Sequence, residues 1–412
     1  MVAFIMIALA IPLGIIINNQ VTDINLLRKE KIGTDIVAKL QSINMLLAQH
    51  RGTANRFLNG NKSVLPKLNE LEQKLNVSFN DIINQCDSLA IENNKLKLIQ
   101  SNWKYFKSVY QLMSPEDSFK RHRDLIYQVM AFQVDIADFS NLSLDEQLSS
   151  YYLMNNMVRT LPSLMENMTQ VRGFGSGLLV KKQISSAERV ELTKLTHSVR
   201  LAMETVNFDL TKVFISLPVF EQKINTELIH TKQAIEDFLL LAEHEIINAQ
   251  EINMSDELFF SQATDVINET MQLYNTVVQK LNEELDIRIN QILINCYTVI
   301  ASFLLLIFIV LFFIIRIINR INKPLEHAML CFEKISIGDY DYPIVIQYQD
   351  EIGCVLKALQ VMRNRLAENV EKLKEMVNSL TQAQRIAKLA DLHWNIEKNI
   401  GFFLTVFMIF LK

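Results

Sequence analysis

Leu40 to Leu58 reads LQSINMLLAQHRGTANRFL, and Leu161 to Leu179 reads LPSLMENMTQVRGFGSGLL. Set one above the other at an offset of 121 positions, the two stretches share Leu, Ser, Gln, Arg, Gly and Leu, so that Arg51-Gly52 falls on Arg172-Gly173. A second correspondence, at an offset of 141, sets SPEDSFKRHRDLIYQVM from Ser114 against SDELFFSQATDVINETM from Ser255, pairing Phe119 with Phe260, Asp124 with Asp265 and Met130 with Met271. Two matches in the same order predict a duplicated helical module, with longer loops or helices in the second copy. Chance likeness between amphipathic helices is the plainer alternative.

Composition supports helices. Of 412 residues, 50% are hydrophobic and 21% charged, which excludes a disordered polyelectrolyte. Glycine (10) and proline (7) together are about 4% of the chain, about a third of the usual share, so turns are few and elements long. A Rossmann or barrel enzyme would need many more glycine-rich loops. Apolar residues recur at three- and four-residue intervals from Leu195 to Ile215 and from Leu239 to Ile247. The four cysteines are too scattered for a disulfide framework, and no Cys/His cluster suggests a metal or other cofactor. The net charge of -4 argues against a nucleic-acid partner.

Cys296 to Ile315, CYTVIASFLLLIFIVLFFII, holds no charge over twenty residues, enough to span about 30 Å of hydrocarbon. Arg316, Arg320 and Lys323 follow it, which puts the C-terminal part in a cytoplasm. Met1 to Ile17 is apolar throughout and reads as a first span, a cleaved signal peptide being the alternative. The expectation is therefore an all-α membrane protein with two transmembrane helices, 1–18 and 295–315. An extended helical-bundle ectodomain lies between them at 19–294, in two modules of about 19–140 and 141–294, placed outside a bacterial inner membrane.

Within that ectodomain Arg51 and Arg172 are the candidate ligand-binding residues. A guanidinium beside a glycine that admits a close neighbour suits a carboxylate or oxyanion. An inter-helix salt bridge or a solvated arginine is the bland alternative. His50, next to Arg51, is a third candidate, as a pH sensor. Gly173, Gly175 and Gly177 weaken a helix by about 1 kcal/mol each, a cost that points to close packing or a break. Two stacked four-helix bundles of this kind resemble the helical bimodular sensor domains of bacterial chemoreceptors and sensor kinases. The Q-x-R-G segments resemble the Arg-Gly motif of nitrate- and nitrite-sensing helical domains. Those resemblances imply an unknown small periplasmic ligand.

Residues 316–368 carry Pro324-Leu325 early in a helix, Gly338-Asp339 after it, and Asp350-Glu351-Ile352-Gly353 opening a second helix with Leu359 and Met362 further on. This order resembles a HAMP domain. Leu325, Met329 and Phe332, then Ile352, Val355, Leu359, Met362 and Leu366, keep heptad-like spacing. The resemblance implies a parallel coiled coil formed by a homodimer. Asp350 and Glu351 suit the N-terminus of the second helix. The seam continues over a coiled-coil linker, 369–384, with a stutter between Leu366 and Val370.

AQRIAKLADLHWNIEKN, from Ala383 to Asn399, resembles the opening of a PAS domain, so 385–412 reads as a truncated PAS start. No kinase, cyclase or chemoreceptor output motif is visible, and AEHEIINAQ from Ala242 lacks the second histidine of HExxH. The expectation is thus a non-enzymatic receptor of the two-component or cyclic-di-GMP signalling kind. It would relay a periplasmic stimulus through HAMP to an output module missing from this chain, with the lipid bilayer and a second copy as partners. A non-signalling scaffold, or a dominant-negative partner of an intact paralogue, is the alternative.

Overall fold

The structure, a computed structural model, describes residues 2–144, 147–346, 349–387, 392–395 and 400–403. It is all-α in architecture. The strands among the described residues are two short ones, β1 (Leu392–Asn395) and β2 (Ile400–Phe403), paired antiparallel with Leu392 opposite Phe403. The PAS-like start falls largely outside the described residues.

The chain divides into two compact units, Met1–Tyr297 and Thr298–Lys412. In the first, α1 (Val2–Leu58) is followed by α2 (Leu65–Ser88), α3 (Asn94–Val109), α4 (Pro115–Phe139), α5 (Leu148–Asn155), α6 (Leu161–Lys181), α7 (Ser186–Ser216) and α8 (Pro218–Ala242). The next helix, α9 (Asp256–Ile317), begins in this unit. Local chemistry sets the starts. Ser114 caps α4 by accepting from the Asp117 amide, and Pro115, Glu116 and Asp117 suit the first turn. Ser185 and Glu188 form a reciprocal capping box at α7, while Lys182, in the left-handed region, closes α6.

α1 packs against α2, α4 and α6, and α6 against α7. One continuous cluster of buried residues runs from Ile36 to Leu281, drawing on both expected modules; Trp103, Tyr110, Tyr274, Phe79 and Phe259 are its largest fully buried apolar side chains. A π-helical turn, Asn156–Thr160, separates α5 from α6. Among the described residues one helical stretch, Asp256–Ser336, is long and apolar enough to cross a membrane. Its Leu304, Phe308 and Phe312 are exposed. The expectation of two spans has this one counterpart; α1 runs on through residue 18 as a single helix to Leu58.

In the second unit α10 (Lys323–Ser336) and α11 (Glu351–Ala387) enclose a small core of Ala328, Cys331, Ile335, Ile344, Leu356 and Leu359. Gly338, with φ +89°, takes the left-handed turn that ends α10, and the Asp350 carboxylate accepts from the Gly353 amide at 3.1 Å to cap α11. Of the heptad-spaced positions Leu359 is buried, whereas Leu325, Met329, Phe332, Val355, Met362 and Leu366 are exposed on the chain taken alone. Within the chain the connector covers a different face of α10, formed by Pro324, Ala328, Cys331 and Ile335.

Tight helix packing yields a stability prediction. A Cβ on Gly175 would lie 2.7 Å from the Phe259 ring and 3.2 Å from Ile246. Alanine gains about 1 kcal/mol of helix propensity there, but overpacking a rigid core costs about 1–3 kcal/mol. Gly175→Ala should therefore lower the urea midpoint followed by circular dichroism; an unchanged or raised midpoint would contradict this packing.

Candidate anion site

The two Arg-Gly dipeptides meet. A Cβ on Gly173 would stand 3.8 Å from the Gly52 Cα, so α1 and α6 cross backbone to backbone at these glycines. The same Cβ would lie 3.1 Å from the Phe119 ring, and one on Gly52 would lie 3.0 Å from the Phe260 ring. Each ring then backs an arginine: the Arg51 guanidinium lies 4.8 Å from the Phe119 centroid and that of Arg172 lies 4.6 Å from the Phe260 centroid. Residues paired by the sequence repeat, 51 with 172 and 119 with 260, thus occupy equivalent places about the crossing.

The equivalence fails in the counter-charges. Arg51 is bidentate to Glu166, with Nη1 donating to Oε1 at 2.6 Å and Nη2 to Oε2 at 3.0 Å, and it also donates to Thr169 Oγ1 at 2.8 Å. Gln170 donates to Glu166 Oε1 at 2.8 Å. Positions 166 and 169 correspond to Met45 and Ala48 in the first copy, which offer no carboxylate to Arg172. Arg172 donates to Thr264 Oγ1 at 3.1 Å and to the Ala48 carbonyl at 3.4 Å. Among the described residues it has no salt bridge. Both arginines are 1% exposed, and the Nε of each is buried without an acceptor. Burial, and secondarily the repulsion of Arg51, pushes the Arg172 guanidinium down to about 9 despite the pull of Glu166. Two cations share one buried carboxylate, which leaves the layer one negative charge short.

His50 faces away from α6 into a box made by α2, α3 and α4. Its ring stands 5.0 Å from Trp103 and 5.0 Å from Tyr110, and its Nδ1 is 2.7 Å from His122 Nε2. His122 Nδ1 lies 2.7 Å from the Ser118 carbonyl. A carbonyl accepts, so His122 Nδ1 carries the proton, and its Nε2 accepts from His50 Nδ1–H when both rings are neutral. His50 Nε2 is left as a buried lone pair with no hydrogen-bond partner, 3.6 Å from Glu72 Oε1. Burial holds the His50 imidazole below its usual range, against the pull of Glu72, and holds that of His122 well below it.

A groove of about 700 Å³ opens beside the crossing, with Phe119, Gln170, Phe174 and Asn55 in its lining. Phe119 and Gln170 are also the groups that touch Arg51 and Glu166. The HAMP-like positions Pro324, Leu325, Gly338, Asp339, Asp350, Glu351, Ile352, Leu359 and Met362 all belong to the second unit and form its turn, cap and small core or stand exposed on it. Among the described residues no group of His, Cys, Asp or Glu is placed to hold a metal. Sequence reasoning missed Glu166, Thr169, Glu72 and His122. The Phe119–Phe260 correspondence was visible in the repeat but carried no assigned role.

No family model matches the chain, and no curated protein matches it. A solved structure that does match is the NasR transcription antiterminator, with a TM-score of 0.51 and 12% identity over 85% of this chain and 96% of that one. At that identity the likeness is one of fold. It nonetheless corrects the receptor reading, because a protein that shares this fold along most of the chain is a transcription antiterminator. The relay through HAMP to a lost output module, its scaffold or dominant-negative alternative, and the two-component, PAS and cyclic-di-GMP associations are set aside with it. So is the partner set drawn up for that receptor, including its exclusion of nucleic acid. That exclusion rested on overall charge, which does not report how charge is distributed over a surface.

Breaking a buried ion pair from one side typically costs about 3–5 kcal/mol. Glu166→Gln should lose about that much in urea unfolding, because Arg51 and Arg172 are then both uncompensated, whereas the exposed Glu191→Gln should stay close to wild type. A Glu166→Gln protein as stable as the parent would show that the carboxylate does not hold the layer.

Acid has a predictable sign too. The His122 pKa is lower folded than unfolded, so its contribution to stability is present above the unfolded value of about 6.5 and declines as pH falls below it. The wild-type urea midpoint should fall between pH 7 and pH 5, and His122→Gln should flatten that fall; equal slopes would exclude His122 as the source.

Proposed function

We propose that the chain is a helical regulatory protein whose first unit recognises a small oxyanion or carboxylate at Arg51 and Arg172. The observation that carries this reading is the unpaired charge of Arg172: a guanidinium 1% exposed, stacked on Phe260, with a buried Nε that no acceptor meets. Burying a charge without its counter-charge is expensive, and a bound anion is the simplest compensation. Arg51, already held by Glu166, supplies a second donor group from the opposite helix with its own unmet Nε. The adjoining groove, lined by Phe119 and Gln170 but not by the arginines themselves, supports an approach to the layer past those two side chains.

The regulatory role is supported by the fold shared with a transcription antiterminator. An output on transcription is the corresponding expectation, and binding to structured RNA at low salt tests it. The exposed apolar run from Cys296 to Ile315 supports a membrane anchor in α9, which fractionation with a carbonate wash would check.

Binding to the folded state alone raises stability by about 2.7 kcal/mol at a hundredfold excess over Kd. Nitrate, nitrite, formate or acetate should therefore raise the melting temperature of the intact chain, and Arg172→Gln should abolish the rise while chloride and sulfate act equally on both proteins. No shift with any of the four anions would overturn the assignment.

A further inference from the structure

We infer that the site takes its anion together with one proton, seated on His50 Nε2 opposite Glu72. This rests on the anion reading above and extends it to a second, proton-binding site on the other side of α1. The geometry forces the tautomer chain. While both rings are neutral, the Ser118 carbonyl fixes His122, His122 fixes His50 Nδ1 as the donor, and the remaining His50 nitrogen confronts a carboxylate oxygen at 3.6 Å as a second acceptor. Two acceptors face each other there, that of His50 fully buried and that of Glu72 partly so. One added proton turns that repulsion into an ion pair and satisfies His50 Nε2.

The charged and titratable groups around His50 decide when the proton stays. From α2 comes Glu72; from α3 comes Lys107, 3.4 Å from Glu72; Tyr110 donates its hydroxyl to Glu72 at 3.2 Å; from α4 comes His122. From α1 itself comes Arg51, and beyond it on α6 lie Glu166 and Arg172. Lys107, Arg51 and Arg172 are three cations against the carboxylates of Glu72 and Glu166. A further charge on His50 is therefore opposed while the layer is empty and tolerated once an anion neutralises Arg172. Burial lowers His50, and Arg51 is among the groups that lower His122, so the histidine pair lies within the field of the arginine site. By linkage, an anion that raises the proton affinity of His50 is bound more tightly wherever the proton is available.

Nitrate is the suitable probe because it is the anion of a strong acid and takes up no proton itself. Calorimetric titration of the intact chain from pH 5 to 8, in buffers of differing ionisation enthalpy, should show uptake approaching one proton per nitrate, with Kd weakening by up to about tenfold per pH unit. His50→Gln and Glu72→Gln should bind nitrate with a nearly pH-independent Kd. Proton–nitrogen spectra of the wild-type imidazoles should show His50 Nε2 gaining a proton when nitrate is added, a readout that stands even where a variant fails to fold. A pH-independent wild-type Kd, a slope unchanged in His50→Gln, or an Nε2 without a proton in the bound state overturns the proton site alone. Absence of nitrate binding at every pH overturns the anion reading together with it.

Discussion

Two guanidinium groups held in one buried layer by the contact of Gly52 with Gly173 are the constraint on which the first unit turns. Nothing larger than glycine fits at either position without displacing a phenyl ring, and the contact is what brings Arg51 and Arg172 into the same interior. Every other feature of the layer answers the charge this creates. Glu166 neutralises one cation with two parallel hydrogen bonds, Phe119 faces Arg51 and Phe260 faces Arg172, and Thr169, Thr264 and the Ala48 carbonyl accept from further donors, though not from either Nε. Other polar side chains are buried in the first unit, the bonded Asn44 and Gln133 among them, but those two are neutral amides, whereas this layer holds two guanidinium groups.

Such buried charges are costly in stability, and apolar side chains of similar volume would commonly be as good or better. An interior that keeps two arginines and an unpartnered histidine nitrogen is under-satisfied at known atoms. Unsatisfied buried atoms in a folded protein call for a cause, and three of them cluster here: the Nε of Arg51 and of Arg172 in the layer, and Nε2 of His50, next to Arg51 on α1 but aimed to its other side.

Much of this layer was legible in the sequence, and the limits are physical. The repeat paired Arg51 with Arg172 and Phe119 with Phe260 because those positions share one role about the crossing. Glu166 and Thr169 were hidden because their counterparts, Met45 and Ala48, had diverged, and a comparison of copies finds only what both retain. Glu72 and His122 contact His50 across long sequence separations, on helix faces whose periodicity marks them as interior without saying what they meet. In the second unit the heptad spacing of Leu325, Met329 and Phe332 marks an apolar stripe, but the covered face of α10 is Pro324, Ala328, Cys331 and Ile335 because the connector folds over it. Spacing alone could not choose between two adjacent stripes. The all-α architecture followed from the scarcity of glycine and proline, whereas the receptor identity drawn from short motifs did not survive comparison of the whole fold.

Both sides of the crossing, Arg51-Gly52 and Arg172-Gly173, belong to one polypeptide, and that has a consequence for their counter-charges. In a pair of identical subunits, any replacement at one half appears at the other, so a carboxylate gained opposite one arginine is gained opposite both. In one polypeptide the two sides are free to differ: position 166 is glutamate while position 45 is methionine, so one arginine is matched by a carboxylate and the other is not. A single chain can thus match one buried cation internally and leave its counterpart unmatched, a division of labour closed to a symmetric dimer.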